Sequence, residues 1–206
     1  MKTTSNIYAS LFAFLCLLCL GMSNTYGQQT LAVQINNHAH CTNKHEVELE
    51  FNYPGGEQMM ISKEPNFMHV AWEPYKAVKK WRISGQDGKK MLYVKFRDAA
   101  RNESDVYEAH IILDTQAPLP GKIQINDGET MTMYSDVLLK MTPRDAEQMW
   151  ISNDKNFATG QWEPYVNTKK WILQEGDGQR TIYIKYRDSC GNISRIVSKS
   201  ITVSYN

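Results

Sequence analysis

The chain has 206 residues, of which 42% are hydrophobic, with 23 Lys and Arg against 22 Asp and Glu and a net charge of +1. So even a balance leaves no basic excess to draw nucleic acid or anionic lipid. Four cysteines in this length are too few for a disulfide-dense mini-protein.

Lys2 is followed by an almost unbroken apolar run, Ile7 to Leu20, and then by small and polar residues through Gly27. That is the grammar of a secretory signal peptide. The run is short for a membrane span, which needs about 20 residues. Residues 1–27 are therefore expected to be removed, with cleavage after Gly27. Cys16 and Cys19 each follow a leucine where a lipidation signal has a small residue, so no lipid anchor is expected. The mature chain would begin at Gln28 and keep two cysteines, Cys41 and Cys190. No later segment is apolar enough to span a membrane. The expected location is the cell envelope, as periplasm or cell surface, or the secreted fraction.

Short strand-like runs follow: Leu31–Asn36, Val47–Phe51, Gln58–Ser62, Lys80–Ile83, Met91–Arg97 and Tyr107–Leu113. In the fifth, Leu92, Val94 and Phe96 share one face and Lys95 and Arg97 the other, the period of a half-buried strand. Trp81 and Ile83 should likewise point inward. Asp87-Gly88 tolerates positive φ and reads as a hairpin turn. Asp114–Pro120 carries two prolines and reads as a stiff spacer.

After the spacer the chain repeats itself. Residues 57–104 and 147–194 align without a gap at a spacing of 90, with 22 of 48 positions identical. Trp72-Glu73-Pro74-Tyr75 recurs as Trp162-Glu163-Pro164-Tyr165, and Lys79-Lys80-Trp81 as Lys169-Lys170-Trp171. The inward triplet recurs as Ile182, Ile184 and Tyr186. A period this long is the size of a small domain with its own core rather than a stacked solenoid unit. No stretch shows a helical period. The expected fold is all-β: two tandem antiparallel sandwiches of about seven strands, at 28–114 and 121–206, joined by 115–120. The last turn of the second copy has Gly191 free to be left-handed. The first has Arg101 there, which strains in that conformation, so the two turns are expected to differ.

The paired runs WEPYKAVKKWRISGQDGKKMLYVKFRDAARN and WEPYVNTKKWILQEGDGQRTIYIKYRDSCGN, with the linker DTQAP, resemble bacterial immunoglobulin-like repeats, which are close in shape to fibronectin type III domains. The resemblance covers both copies. It implies tandem modules of secreted or cell-surface proteins, with Asp-Thr-x-Ala-Pro as a module linker and Asp-x-x-Gly-Asn closing the last hairpin. Such a fold hosts many roles, so it does not name one.

Three groups of residues are candidates for chemistry. His38, His40 and His45, with Cys41 between them, have types and spacing that suit a borderline metal; the plain alternative is a polar loop. If Met149 and Ile151 point inward, Trp150 points out, beside Tyr183, Lys185 and Arg187. The first copy offers Met60 with Tyr93, Lys95 and Arg97. Such a face can stack on a sugar ring or receive a protein, or it is a cross-strand ladder shielding the sheet. The third group is the cysteine pair. Cys41 aligns with Met131 and Cys190 with Ala100, so neither has a partner in its own repeat. In a sandwich of alternating strands, the first connection lies where the chain leaves and the last hairpin where it arrives. Cys41 and Cys190 thus belong at one junction, where an interdomain disulfide, free thiols, intermolecular pairing or metal ligation by Cys41 are all open.

There is no nucleophile elbow, phosphate-cradling glycine loop, His-Glu-x-x-His or Cys-x-x-Cys, and no cofactor is implied. The expectation is a non-enzymatic interaction or spacer protein with a protein or glycan partner, the glycan reading resting on Trp150 and Tyr183 and a remoter metal-binding reading on the histidines.

Overall fold

The computed structural model describes residues 32–205. The expected signal peptide and its cleavage point lie outside those residues. Among the described residues no helix is long and apolar enough to cross a membrane.

The first sandwich has eight strands: β1 (Val33–Ile35), β2 (Cys41–Thr42), β3 (Glu46–Phe51), β4 (Gln58–Ser62), β5 (Glu73–Pro74), β6 (Val78–Arg82), β7 (Gly88–Arg97) and β8 (Tyr107–Leu113). They form a three-stranded sheet, β1-β3-β6, facing a five-stranded sheet, β2-β8-β7-β4-β5. The second sandwich repeats this with β9 (Ile123–Ile125), β10 (Met131–Thr132), β11 (Asp136–Met141), β12 (Gln148–Ser152), β13 (Glu163–Pro164), β14 (Thr168–Ile172), β15 (Gly178–Arg187) and β16 (Val197–Val203). Its sheets are β14-β11-β9 and β10-β16-β15-β12-β13.

Two-residue alternation builds the cores. Leu92, Val94 and Phe96 are at most 1% exposed, and so are Ile182, Ile184 and Tyr186. Each sandwich has its own buried cluster, closed by Leu49, Met59 and Ile111 in the first and Leu139, Met149 and Ile201 in the second. Trp81 and Trp171 pack on these clusters at equivalent, half-buried sites.

The repeated Trp-Glu-Pro-Tyr segments serve the fold. Glu73-Pro74 pairs with Gln58 and Met59 as a short edge strand, where proline's missing N–H costs no ladder bond and blunts the edge. Next to it, Tyr75 donates its hydroxyl to the Phe51 carbonyl at 3.0 Å, and Tyr165 does the same to Met141 at 2.9 Å. Each tyrosine so ties the edge of one sheet to the end of a strand in the other.

The structure corrects three sequence readings. Asp87-Gly88 is not a hairpin: β6 pairs with β3 and β7 with β4 and β8, so the turn is a corner between sheets. Its positive φ, 121° at Gly88, turns that corner. The first strand, expected over Leu31–Asn36, is β1 at Val33–Ile35. After it the chain switches sheets through three left-handed residues, Asn36, Asn37 and His38. Cys41 therefore lies not in the connection between the first two strands but on β2, a two-residue strand that runs parallel to the end of β8, with Cys41 opposite Ile112. Finally, Arg101 does adopt φ 68°, and its turn matches that of Gly191: Asp98 N–H to the Asn102 carbonyl and Asp188 N–H to the Asn192 carbonyl are both 3.1 Å.

Candidate functional site

The outer face of β12 and β15 places Trp150 opposite Lys185, Gln148 opposite Arg187 and Ser152 opposite Tyr183. Met149 and Ile151 are buried at 1% and 3%, so Trp150 does point outward. It is nevertheless half-buried. The Lys185 ammonium lies 4.1 Å from its ring centroid and 4.4 Å from that of Phe157. Trp162 meets its edge at 5.7 Å, and its indole N–H donates to the Thr159 carbonyl at 3.1 Å. The segment that folds over it leaves so little room that a Cβ on Gly160 would sit 3.1 Å from the indole nitrogen. Arg187 stacks on Trp162 at 4.5 Å while its guanidinium binds Gln148. The first sandwich repeats the outer half of this ladder, with Arg97 4.4 Å from Trp72. Met60, opposite Lys95, replaces Trp150, and Tyr93 lies opposite Ser62. Cation–π stacking thus engages Trp150, Trp162 and Trp72.

The histidines do not converge. The His45 ring is held on the Ile83 carbonyl at 3.2 Å. His38 and His40 are exposed and open on a cleft of about 400 Å³ shared with Glu108 and His110. Among the described residues they form no set of three ligand atoms drawn to one point.

The junction between the sandwiches is the most elaborated site. Cys41 and Cys190 are joined in a disulfide with a Cα–Cα distance of 5.3 Å. The β2–β8 pairing places Cys41 at the trailing end of the first sandwich. Cys190 lies in the β15–β16 turn at the leading end of the second. That turn is a clasp. The Asp188 carboxylate accepts from the Asn192 backbone N–H and from its Nδ2, both at 2.9 Å, and from the Cys190 N–H at 2.9 Å. The Asn192 amide also donates across the boundary to the Asp114 carbonyl at 2.9 Å. Asp188 is 5% exposed, Asn192 8% and Ser194 6%. The linker adds an antiparallel pair, with Leu119 and Arg144 exchanging backbone bonds of 3.1 and 2.8 Å. Pro118 and Pro120 are buried. The linker's Thr115 donates to Asp87 at 3.0 Å, and that backbone and side-chain bonding holds the Asp87 carboxyl below its usual range. The carboxylates of Asp114, Asp145 and Asp188 come within 4.8 Å of one another here. Sequence reading placed the two cysteines at this junction but missed the clasp and the carboxylates. The recurrence of Asp and Asn at 98 and 102 and again at 188 and 192 was the available signal.

No protein-family model matches the chain, and no curated protein matches it in sequence. Its structure is similar to the fibronectin(III)-like modules of Clostridium thermocellum CbhA, with a TM-score of 0.52 and 11% identity, over 84% of this chain and 94% of that one. It also matches chicken CNTN1 FN1-FN3 domains at a TM-score of 0.45 and 13% identity, over 82% of this chain and 66% of that one. In fold, the chain is a tandem pair of immunoglobulin-like, fibronectin type III-like β-sandwiches.

Proposed function

We propose that this is an exported, non-catalytic interaction and spacer protein of the cell envelope or extracellular space, whose two modules are held at a fixed angle to present a surface to a protein partner. The observation that carries this reading is the disulfide across the module boundary. Neither sandwich needs it for its own core, since the aligned positions in the other copy are Met131 and Ala100. Its effect falls on the relation between the modules. A structural disulfide also persists in oxidising compartments and is rare in the cytosol, in keeping with the signal-like segment at residues 1–27. The fibronectin-like fold supports a binding or spacing role and by itself specifies no substrate.

The test is direct protein chemistry on chain recovered from envelope and culture fractions. The expected result is an N-terminus at Gln28, a single peptide joining Cys41 to Cys190 on non-reducing mapping, and no alkylatable thiol. A retained leader with two free thiols would sink the reading.

A further inference from the structure

The internal junction joins the trailing end of one module to the leading end of the next, and both kinds of end occur a second time in this chain. We propose that the trailing end of the second sandwich docks the leading end of the first sandwich of another copy, so that the protein associates head to tail.

At the leading end of the first sandwich the clasp is already formed. The Asp98 carboxylate accepts from the Asn102 N–H and Nδ2, each at 2.8 Å, as Asp188 does from Asn192. Asn102's own bonds hold the Asp98 carboxyl below its usual range. The difference is cover. Asn192 is buried and gives its amide to Asp114, whereas Asn102 is exposed.

At the trailing end of the second sandwich the receiving backbone is also formed. Asp114 N–H donates to the Thr42 carbonyl at 3.0 Å, and its counterpart Ser204 donates to Thr132 at 3.0 Å. The Ser204 carbonyl is thereby set where Asp114 presents its own. Around it lie apolar side chains left open to solvent: Met131 and Met133 are each 58% exposed, Tyr134 72% and Tyr205 47%. A patch of large apolar side chains at one end of a module marks an interaction surface rather than a random scatter.

The substitutions between the two junctions are complementary. Where the internal junction sets Cys41 against Cys190, the junction between copies sets Met131 against Ala100. Where Gly191 approaches Asn43, with a built Cβ 3.5 Å from its side-chain nitrogen, the aligned positions set Arg101 against Met133, next in sequence to Tyr134. Asp114 and Asp145 become Ser204 and Gly55, so two of the three carboxylates are gone. The covalent junction with three carboxylates is thus replaced by one in which Asp98 is the one carboxylate left of that set and Arg101 faces exposed methionine and tyrosine side chains, groups suited to packing on contact. A heterologous contact of this kind does not close on itself unless its rotation forms a ring, so it extends into filaments or rings.

This proposal names a partner for the interaction protein described above. It is read on purified mature protein, so its failure leaves the spacer reading standing. The experiment is disulfide trapping. A Met131→Cys protein and an Ala100→Cys protein are mixed in an oxidising buffer, and each is also incubated alone and with a Lys155→Cys control. All three positions are exposed, and circular dichroism checks folding. The expected result is a dimer bridged between positions 131 and 100, formed at least about tenfold faster in the mixture than with the control. A chain carrying both substitutions should give a ladder of oligomers or closed rings. Trapping in the mixture no faster than with the control, or self-trapping of the Met131→Cys protein at the same rate, overturns head-to-tail docking.

Discussion

Tyr186 stands where Phe96 stands 90 residues earlier, and the difference is one hydroxyl in a dry core. The side chain is 0% exposed and its hydroxyl has no hydrogen-bond partner. Burial pushes its phenol well above the ordinary tyrosine range. An unsatisfied buried hydroxyl costs about 1–3 kcal/mol, so Tyr186→Phe should stabilise the second sandwich by roughly that amount, measured by urea denaturation. The pH dependence carries a definite sign. The unfolded chain releases the phenol proton near pH 10 and the folded chain only at higher pH. The contribution is therefore intact below about pH 10 and is lost above it, at up to about 1.4 kcal/mol per pH unit. Tyr186→Phe should flatten that alkaline fall. Trp81 presents the same problem from the donor side. Its indole N–H is buried without a partner, while its twin Trp171 donates to Asn153 at 2.8 Å. Lys63 occupies the Asn153 position, so Lys63→Asn should raise the stability of the first sandwich by about 1 kcal/mol in the same assay. These pairs were visible in the aligned repeats as Phe against Tyr and Lys against Asn. Their consequences were not, because satisfaction of a polar atom depends on neighbours far away in sequence.

Among the elements, alternation told which residues face inward, and β4, β7, β8 and their twins lie close to where the pattern put them. What alternation does not carry is which sheet a strand joins. Asp87-Gly88 shows the limit: both residues tolerate the turn, but a corner between sheets and a hairpin need the same tolerance. The place of Cys41 on a strand is illegible for a related reason, since among the described residues β2 pairs with β8, some 70 positions later. At Arg101 the left-handed strain is outweighed by the Asp98–Asn102 bonds, which hold the turn regardless. Among the described glycines, Gly121, just before β9, leaves the least room for a side chain. Gly121 has φ 65°, and a Cβ there would overlap the Thr142 carbonyl, in a backbone segment fixed by Lys122 N–H bonding to Thr142 Oγ1 at 3.2 Å. Gly121→Ala therefore forces both a disfavoured φ and a backbone shift. It should cost more than about 2 kcal/mol and detach the linker's Leu119–Arg144 pair, seen as faster amide exchange at those two residues. Unchanged exchange with unchanged stability would show that this approach is not rigid.

For the whole molecule, the repeat was what made the junction legible. Because each position has a twin, a cysteine without a cysteine twin stood out, and strand direction put both such residues at one boundary. The angle between the modules was not legible, since it rests on Asn192 reaching Asp114 and on the disulfide itself. The bond spans 149 positions and so ties nearly all of both modules into one loop. In the chain-entropy account, a loop of that length removes about 5 kcal/mol of freedom from the unfolded state, an upper figure. That stabilisation is realised in full only when both sandwiches unfold together, because the two buried clusters are separate. A protein carrying Cys41→Ser and Cys190→Ser should keep its strand content, since neither side chain belongs to a core cluster. Its calorimetric profile should separate into two transitions at lower temperature, and its scattering profile should broaden to a spread of module orientations. One transition at an unchanged temperature would mean that the noncovalent contacts at Asn192 and Leu119 couple the modules unaided, and that the disulfide acts only as a clamp on a junction already made.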